Sequence, residues 1–386
     1  SAFDSAGQRC SALRVLCLQE EVADRILTML KGAMRELRLG RTDALKTDIG
    51  PVISAGSKQE IEQHIAAMRS RGARVDQIAL PREAAKGTFV PPTIIEIEDI
   101  ADLEKEVFGP VLHVVRYERE QLGAVIDAIN ATGYGLTFGL HSRLDETIAF
   151  VTDRVKAGNL YVNRNTIGAI VGLQPFGGRG LSGTGPKAGG PLYLRRLVAL
   201  PPAFTVQTRS APSPLDDFVN WLETKGESKS AAVARHYGEA SSLNLQLALP
   251  GPVGERNIYS LHPRGRILLR STTREGLFEQ MAAVLATGNV GIVDRALPED
   301  LPPTVSAWFA QNADDVLSAA LVEGDDTLVA RTVAEVATIP GPIISVHPAE
   351  PDQVRAYNCD WLLEEVSTSI NTTAAGGNAS LLMIGG

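Results

Sequence analysis

Phe3-Asp4-Ser5-Ala6-Gly7-Gln8-Arg9-Cys10-Ser11-Ala12 is the stretch from which the rest of the chain is read. A Gly-Gln pair stands just ahead of a single cysteine, and an apolar, β-prone run, Leu13–Leu18, follows. Taken alone, Cys10 is more readily a small buried residue than a nucleophile. The nucleophilic reading requires the thiolate, and therefore a lowered thiol pKa or a base close by. Cys17 lies inside the apolar run and is expected to be inert core.

Residues 13–18 predict a buried strand. Residues 20–37 carry Val22, Ile26, Leu30, Met34 and Leu37 at helical spacing, with Gly40 as a stop. A second helix is expected from Ser57, where Glu60 completes a capping-box pattern. Ile61, Ile65 and Met68 form its buried face, and it ends before Gly72. Val111–Arg116 reads as a strand, Leu122–Ile129 as a helix closed by Gly133, Glu146–Ala157 as a helix stopped at Gly158, and Leu160–Val162 as a short strand. Such alternation predicts an α/β domain with a mainly parallel sheet. Eight of the fourteen residues from Gly177 to Gly190 are Gly or Pro, the composition of a loop lining a site on a rigid scaffold.

Pro201, Pro202, Pro212 and Pro214 mark 201–214 as a linker. A second α/β segment, 215–365, centres on a strand at Arg266–Leu269, a helix at Glu275–Thr287, Gly288-Asn289, and a strand at Val290–Val293. From Val366 the chain turns rich in Ser, Thr, Asn, Ala and Gly. One or two extended strands are expected there, around Gly376-Gly377 and the apolar Leu381–Ile384.

The 386 residues are 44 % hydrophobic, enough for two or three packed domains. A net charge of −8 argues against a nucleic-acid surface. No apolar run reaches the ~20 residues of a membrane span. Three cysteines with neither metal-clamp nor disulfide spacing fit a reducing, cytoplasmic setting. The six histidines are scattered, and no metal is expected.

Three further motifs follow Cys10. The first is Glu106-Val107-Phe108-Gly109-Pro110, by itself a plausible turn between a helix end and a strand. The second is Gly158-Asn159-Leu160-Tyr161-Val162-Asn163. The third is Gln174-Pro175-Phe176-Gly177-Gly178 with Ser182-Gly183. In this order, with Cys10, they resemble the aldehyde dehydrogenase superfamily; four motifs in register are far more specific than one. The resemblance implies that Cys10 is the nucleophile, that Glu106 holds the nicotinamide ribose of NAD, and that Phe108 packs by the nicotinamide. The chemistry agrees. A carboxylate accepts two hydroxyl hydrogen bonds, an aromatic ring shields a flat heterocycle, and a tetrahedral thiohemiacetal can expel the hydride that a planar aldehyde cannot. In that family a cofactor domain precedes the cysteine, whereas nine residues do here. The chain therefore reads as the C-terminal portion of a larger enzyme. The oxyanion would be held by the Cys10 N–H and an upstream Asn. The general base is also expected upstream, since Glu20 and Glu21 lack the family context.

Arg164–Gly172 resembles the anchoring loop of the glutamate-semialdehyde (pyrroline-5-carboxylate) dehydrogenases. This implies that Ser11, Gly168 and Ala169 hold the α-carboxylate of L-glutamate γ-semialdehyde, Gly letting backbone N–H groups approach an anion, and that Phe176 packs on its aliphatic chain. A flexible, ligand-free glycine loop is the other reading. Thr184–Gly190 and Asn371–Leu381 resemble the bifunctional proline utilization A family. That implies a fused proline dehydrogenase with FAD, and the first half of the NAD site, outside this segment. Residues 272–298 are similar to the cofactor-domain core of the superfamily, but Asp294 stands where a lysine usually binds the cofactor; a carboxylate there repels phosphates. Cys359 lacks the flanking Gly-Gln.

The expected architecture is α/β throughout. An aldehyde dehydrogenase catalytic domain covers 1–200, and a degenerate, Rossmann-like, non-catalytic aldehyde-dehydrogenase-like domain covers 215–365. An extended β tail, 366–386, follows. The second domain would cover the catalytic unit or build a homo-oligomer, and the tail would seal a substrate channel. Two rival readings remain: a non-catalytic structural or regulatory protein, and an aldehyde dehydrogenase with another substrate.

Overall fold

Val15–Gln19 (β1) runs directly into Glu20–Arg35 (α1), and Ala55–Ser70 (α2), Arg74–Gln77 (β2), Thr93–Glu96 (β3), Val111–Tyr117 (β4) and Leu122–Ala131 (α3) follow. The computed structural model describes residues 1–198, 213–311, 316–350 and 355–373. Most of the expected linker and the Gly376–Ile384 part of the expected tail lie outside the described residues. These β-strands form one sheet in the order β1-β4-β3-β2. β4 is parallel to β1 and to β3, and β2 closes the edge antiparallel to β3. Thr93–Ile95 and Val111–Val115 are buried residue after residue, the pattern of parallel strands covered on both faces.

Two local expectations change. The α1 stripe holds in part: Met34 is buried and Leu30 and Leu37 pack against the same core, but Val22 and Ile26 are exposed, and Ala23 and Leu27 are buried in their place. Ala23 and Leu27 lie one position after Val22 and Ile26, about 100° further round the helix, so the buried face is shifted in the first two turns only. The α2 cap is Ser54, not Ser57. Ser54 has extended backbone, and its Oγ accepts from the Ser57 N–H at 3.0 Å. Ile61, Ile65 and Met68 are buried as expected.

Tyr134–Gly135 (β5), Thr137–Leu140 (β6), Asp145–Thr152 (α4), Asn159–Val162 (β7), Arg179–Gly180 (β8) and Pro191–Arg195 (α5) carry the chain onward. α4 stops five residues short of Ala157. Two compact units result. The first holds 1–132, 137–156 and 163–168; the second holds 133–136, 157–162 and the described residues from Ala169 on.

The second unit continues through Ser213–Thr224 (α6), Ser228–Ala240 (α7), Gln246–Leu249 (β9), Glu255–Pro263 (β10), Arg266–Ser271 (β11), Arg274–Ala286 (α8) and Val290–Val293 (β12). It closes with Pro303–Ser306 (α9), Phe309–Ala310 (β13), Leu317–Glu323 (β14), Asp326–Val336 (α10), Ser345–Pro348 (β15) and Leu363–Asn371 (β16). One sheet is parallel throughout, in the order β13-β12-β11-β14-β15. α8 is buried from Gly276 to Ala286 except at the half-buried Glu279, as a helix apolar over most of its surface must be. Gly288 ends it in the left-handed conformation (φ +65°). Asn289 then ties the helix end to both neighbours: its Oδ1 accepts from the Gly265 N–H at 2.7 Å, and its Nδ2 donates to Leu362 O at 2.9 Å. In the other sheet β16 lies between β7, to which it is parallel, and β10, to which it is antiparallel. β16 begins at Leu363 and so crosses the boundary expected at 365.

Candidate active site

Ser5, Ala6 and Gly7 are all left-handed (φ +56°, +53° and +66°). For Ser and Ala this conformation costs roughly 1–2 kcal/mol each, so the surroundings must hold it. They do so on three sides. Gln8 Nε2 donates to Ser5 O and to Pro51 O, each at 3.2 Å, and Gln8 Oε1 accepts from the Ile53 N–H at 2.7 Å. Gly7 lies flat against Gly109, where a Cβ would stand 2.0 Å from the carbonyl oxygen. The Ser11 carbonyl accepts from Thr166 Oγ1 at 3.1 Å. Cys10, at the end of this fixed turn, is exposed. Cys17 is only partly buried, and burial pushes its thiol up to about 11.

The Glu106–Pro110 segment is pinned by alternate residues. Val107 is buried, and a Cβ on Gly109 would meet Ile61 at 2.4 Å. Glu106 and Phe108 are left facing out, with the glutamate side chain 43 % and the phenylalanine 45 % exposed. Both meet Arg14. Its Nε donates to Glu106 Oε1 at 2.9 Å, Nη1 to Gly7 O at 2.6 Å and Nη2 to Arg9 O at 3.0 Å. Its guanidinium carbon lies 4.7 Å from the Phe108 ring centroid. Sequence reading missed Arg14, because a lone arginine beside a strand carries no signal.

Behind Arg14, His113 is buried and its N–H donates to Arg14 O at 3.0 Å. Its Nε2 meets His64 Nε2 at 2.8 Å. Burial pushes His113 down to about 4, with His64 acting in the same direction. No group of three metal-ligating side chains occurs among the described residues. Nor is any helix there long and apolar enough to cross a membrane.

Of the remaining expected site residues, Gly168 is in the first unit, exposed at φ +90°, and its carbonyl accepts from Arg164 Nη2 at 3.4 Å. Ala169 and Phe176 belong to the second unit. There the Gly-rich segment is locked rather than loose. Phe176 and Ala188 exchange backbone bonds at 3.0 and 2.8 Å. Asn159 Nδ2 donates to Pro175 O at 2.9 Å, and Asn159 Oδ1 accepts from the Gly177 N–H at 3.1 Å. Lys187 is buried, its Nζ donating to Asn159 Oδ1 and Gly177 O. Its backbone N–H donates to Glu365 Oε2 at 2.6 Å, and Tyr259 OH donates to Glu365 Oε1 at 2.8 Å. Burial pushes Lys187 down to about 8 and Glu365 up.

At the C-terminal ends of β11 and β14, Glu323 accepts from the N–H groups of Thr272 (2.7 Å) and Thr273 (3.0 Å) and from Thr272 Oγ1. Thr273 caps α8, its Oγ1 accepting from the Gly276 N–H at 2.9 Å. The Glu323 carboxylate thus fills the space before that helix, and a Cβ on Gly276 would meet it at 2.6 Å. These bonds hold Glu323 below the usual carboxylate range although burial opposes them. Cys359 is buried, its thiol pushed up to about 12.

Residues 1–199 match the model of the aldehyde dehydrogenase family. The whole chain is 54 % identical to the bifunctional protein PutA of Rhizobium meliloti and 48 % identical to that of Escherichia coli, covering 33 % and 31 % of those proteins. It therefore spans about a third of the length of these relatives. Half of the chain is 36 % identical to 37 % of the 1-pyrroline-5-carboxylate dehydrogenase of Bacillus mycoides. The solved structure of proline utilization A from Corynebacterium freiburgense superposes on 98 % of the chain with a TM-score of 0.72 at 25 % identity, using 37 % of that protein. Cys10, Glu106 and Phe108 lie within the matched stretch, and the chain belongs to the aldehyde dehydrogenase family.

Proposed function

We propose that Cys10 is the nucleophile of an NAD-dependent dehydrogenase that oxidises L-glutamate γ-semialdehyde, formed from pyrroline-5-carboxylate, to glutamate. The observation that carries this reading is the exposed thiol on a fixed, strained turn that shares one arginine with the outward-facing Glu106 and Phe108. The Cys10 thiolate attacks the aldehyde carbon. The oxyanion that forms is held by the Cys10 N–H, with a further donor outside this segment. Glu106 and Phe108 fit a nicotinamide ribose: an exposed carboxylate for two hydroxyls and an exposed ring beside it. Bound NAD would accept the hydride released as the carbonyl re-forms. Water then cleaves the thioester on Cys10, giving glutamate and freeing the thiol. The base that activates this water is assigned to no residue of the chain.

The substrate assignment draws support from Thr166, which bonds to Ser11 two residues before Gly168 and so joins the anchor loop to the nucleophile segment. Ser11, Gly168 and Ala169 would hold the α-carboxylate and Phe176 the aliphatic chain. A fused, FAD-dependent proline dehydrogenase would supply the semialdehyde, and FAD is assigned to no residue here. The test is steady-state kinetics on the full-length protein. A much higher kcat/KM for glutamate semialdehyde than for propanal is expected, and equal values would remove the carboxylate anchor.

We infer further that the α/β part of the second unit, about 215–365, is non-catalytic. In open parallel sheets, ligands bind outside the carboxyl ends of the strands where strand order reverses, with phosphate at a helix N-terminus. The reversal falls at β11 and β14, and Glu323 occupies that place. Its buried Cys359 is also no nucleophile. Counting ADP-ribose equivalents bound by full-length wild type and Glu323→Ala tests this reading: one equivalent, at the site that takes NAD, is expected of the wild type, and a second tight equivalent that Glu323→Ala alters would overturn it.

A further inference from the structure

We propose that Arg14 is a positioning residue that transmits the state of the Glu106 carboxylate to the Cys10 turn; this rests on the reading of Glu106 as the ribose-binding group. Three donors of one guanidinium go to three separate places. One goes to Glu106, and two go to the carbonyls of Gly7 and Arg9, which flank Gln8 just ahead of Cys10. The rigid fork of arginine makes this geometry available, and a lysine ammonium on its flexible stem cannot reproduce it. The side chain is 18 % exposed and its flat face is covered by Phe108, so it cannot swing freely into water. Arg14 uses only Oε1 of Glu106. A diol engaging that carboxylate therefore either re-aims it or draws it from Arg14. The change is felt by the two carbonyls, because Gly7 is pressed against Gly109 and has no room to drift.

The test uses the full-length protein as wild type, Arg14→Gln, Arg14→Lys and Glu106→Gln. NADH binding is followed by fluorescence. Alkylation of Cys10 by iodoacetamide is timed by mass spectrometry of its peptide, with and without saturating NAD. In the wild type NAD is expected to change the alkylation rate by about fivefold or more, the low end of coupling between two sites. In Arg14→Gln and Arg14→Lys that ratio is expected to fall to within about twofold of unity while NADH still binds. Glu106→Gln leaves both carbonyl bonds of Arg14 in place. At NADH and NAD concentrations raised until binding to this variant is saturated, it is expected to lose the same ratio with its fold intact, which covers the case where the Arg14 variants unfold. NADH binding with an undiminished ratio in the variants would overturn the role of Arg14 alone. Absence of NADH binding to the wild type would overturn the cofactor reading, and the coupling with it.

Discussion

His64 on α2 and His113 on β4 meet through their Nε2 atoms at 2.8 Å, with ring centroids 5.1 Å apart and nearly perpendicular planes. One nitrogen donates and the other accepts, so the contact cannot survive protonation of both rings. His113 also faces Arg14 O through Nδ1 at 3.2 Å, which leaves its Nε2 as the acceptor and the ring neutral. Burial lowers His113 to about 4, and burial with Arg71 and Lys105 lowers His64. The consequence for stability has a definite sign. A folded pKa below the unfolded 6.5 means the unfolded chain takes up the extra proton, so the contribution is complete above that pH and is lost toward about 4. The slope is at most about 1.4 kcal/mol per pH unit for one proton. His113→Gln is therefore expected to lower Tm at neutral pH but to lose less Tm than wild type between about pH 6.5 and 5. Equal losses in thermal melts would show that the pair does not titrate as described.

Two glycines separate backbone freedom from close packing. Gly7 and Gly72 are both left-handed, at φ +66° and +88°, but a Cβ on Gly7 would stand 2.0 Å from Gly109 O, while one on Gly72 would meet nothing within 4 Å. Gly72→Ala is expected to cost about 1 kcal/mol, the conformational penalty alone. Gly7→Ala must also push two backbones apart and is expected to cost about 3 kcal/mol or more and to disorder the Cys10 turn. Thermal unfolding of both variants checks the difference, and similar losses would mean the contact with Gly109 is soft.

Glu323 behaves as a built-in anion. Removing its carboxylate leaves the Thr273 N–H without its acceptor and the Thr272 N–H with only the longer bond to the Glu323 carbonyl (3.2 Å), at a cost of about 1–3 kcal/mol in Glu323→Ala. Inorganic phosphate is expected to restore part of that loss and to do little for wild type. The folded pKa is depressed, so this carboxylate stabilises the fold above its unfolded pKa. The contribution is lost as pH falls through the folded value. Thermal melts with and without phosphate decide the matter; an equal gain in both proteins would sink it.

Much of the local structure was legible because it depends on local rules. α8 and its glycine stop fall within one residue of expectation, since an apolar helix followed by Gly-Asn and a β-branched strand permits little else. Only the first two turns of α1 depart from the expected face, because Val22, Ile26, Ala23 and Leu27 offer two overlapping stripes there and packing against the sheet selects the one holding the small alanine, whereas Leu30, Met34 and Leu37 pack as expected. Arg14 and Glu106, 92 residues apart, meet because β1 pairs with β4, and His64 and His113, 49 apart, meet because α2 packs on β4, neither of which any spacing in the sequence encodes. Lys187 and Glu365, 178 apart, meet because β16 enters beside β7.

The three cysteines give a direct check on Cys10. Alkylation requires both access and thiolate. Cys10 is exposed on its turn, while burial raises Cys17 to about 11 and Cys359 to about 12. In native protein near neutral pH, iodoacetamide is expected to modify Cys10 first and to leave Cys17 and Cys359 almost untouched, whereas in denaturant all three react alike. A one-unit rise in thiol pKa costs about tenfold in thiolate fraction, so the selectivity over Cys17 should be large rather than marginal. Cys10→Ala should remove the fast-reacting site and all NADH formation while leaving Tm near that of wild type, because an exposed thiol contributes little to packing. Peptide mapping with NADH assays on the same samples measures both, and retained turnover in Cys10→Ala would end the nucleophile assignment.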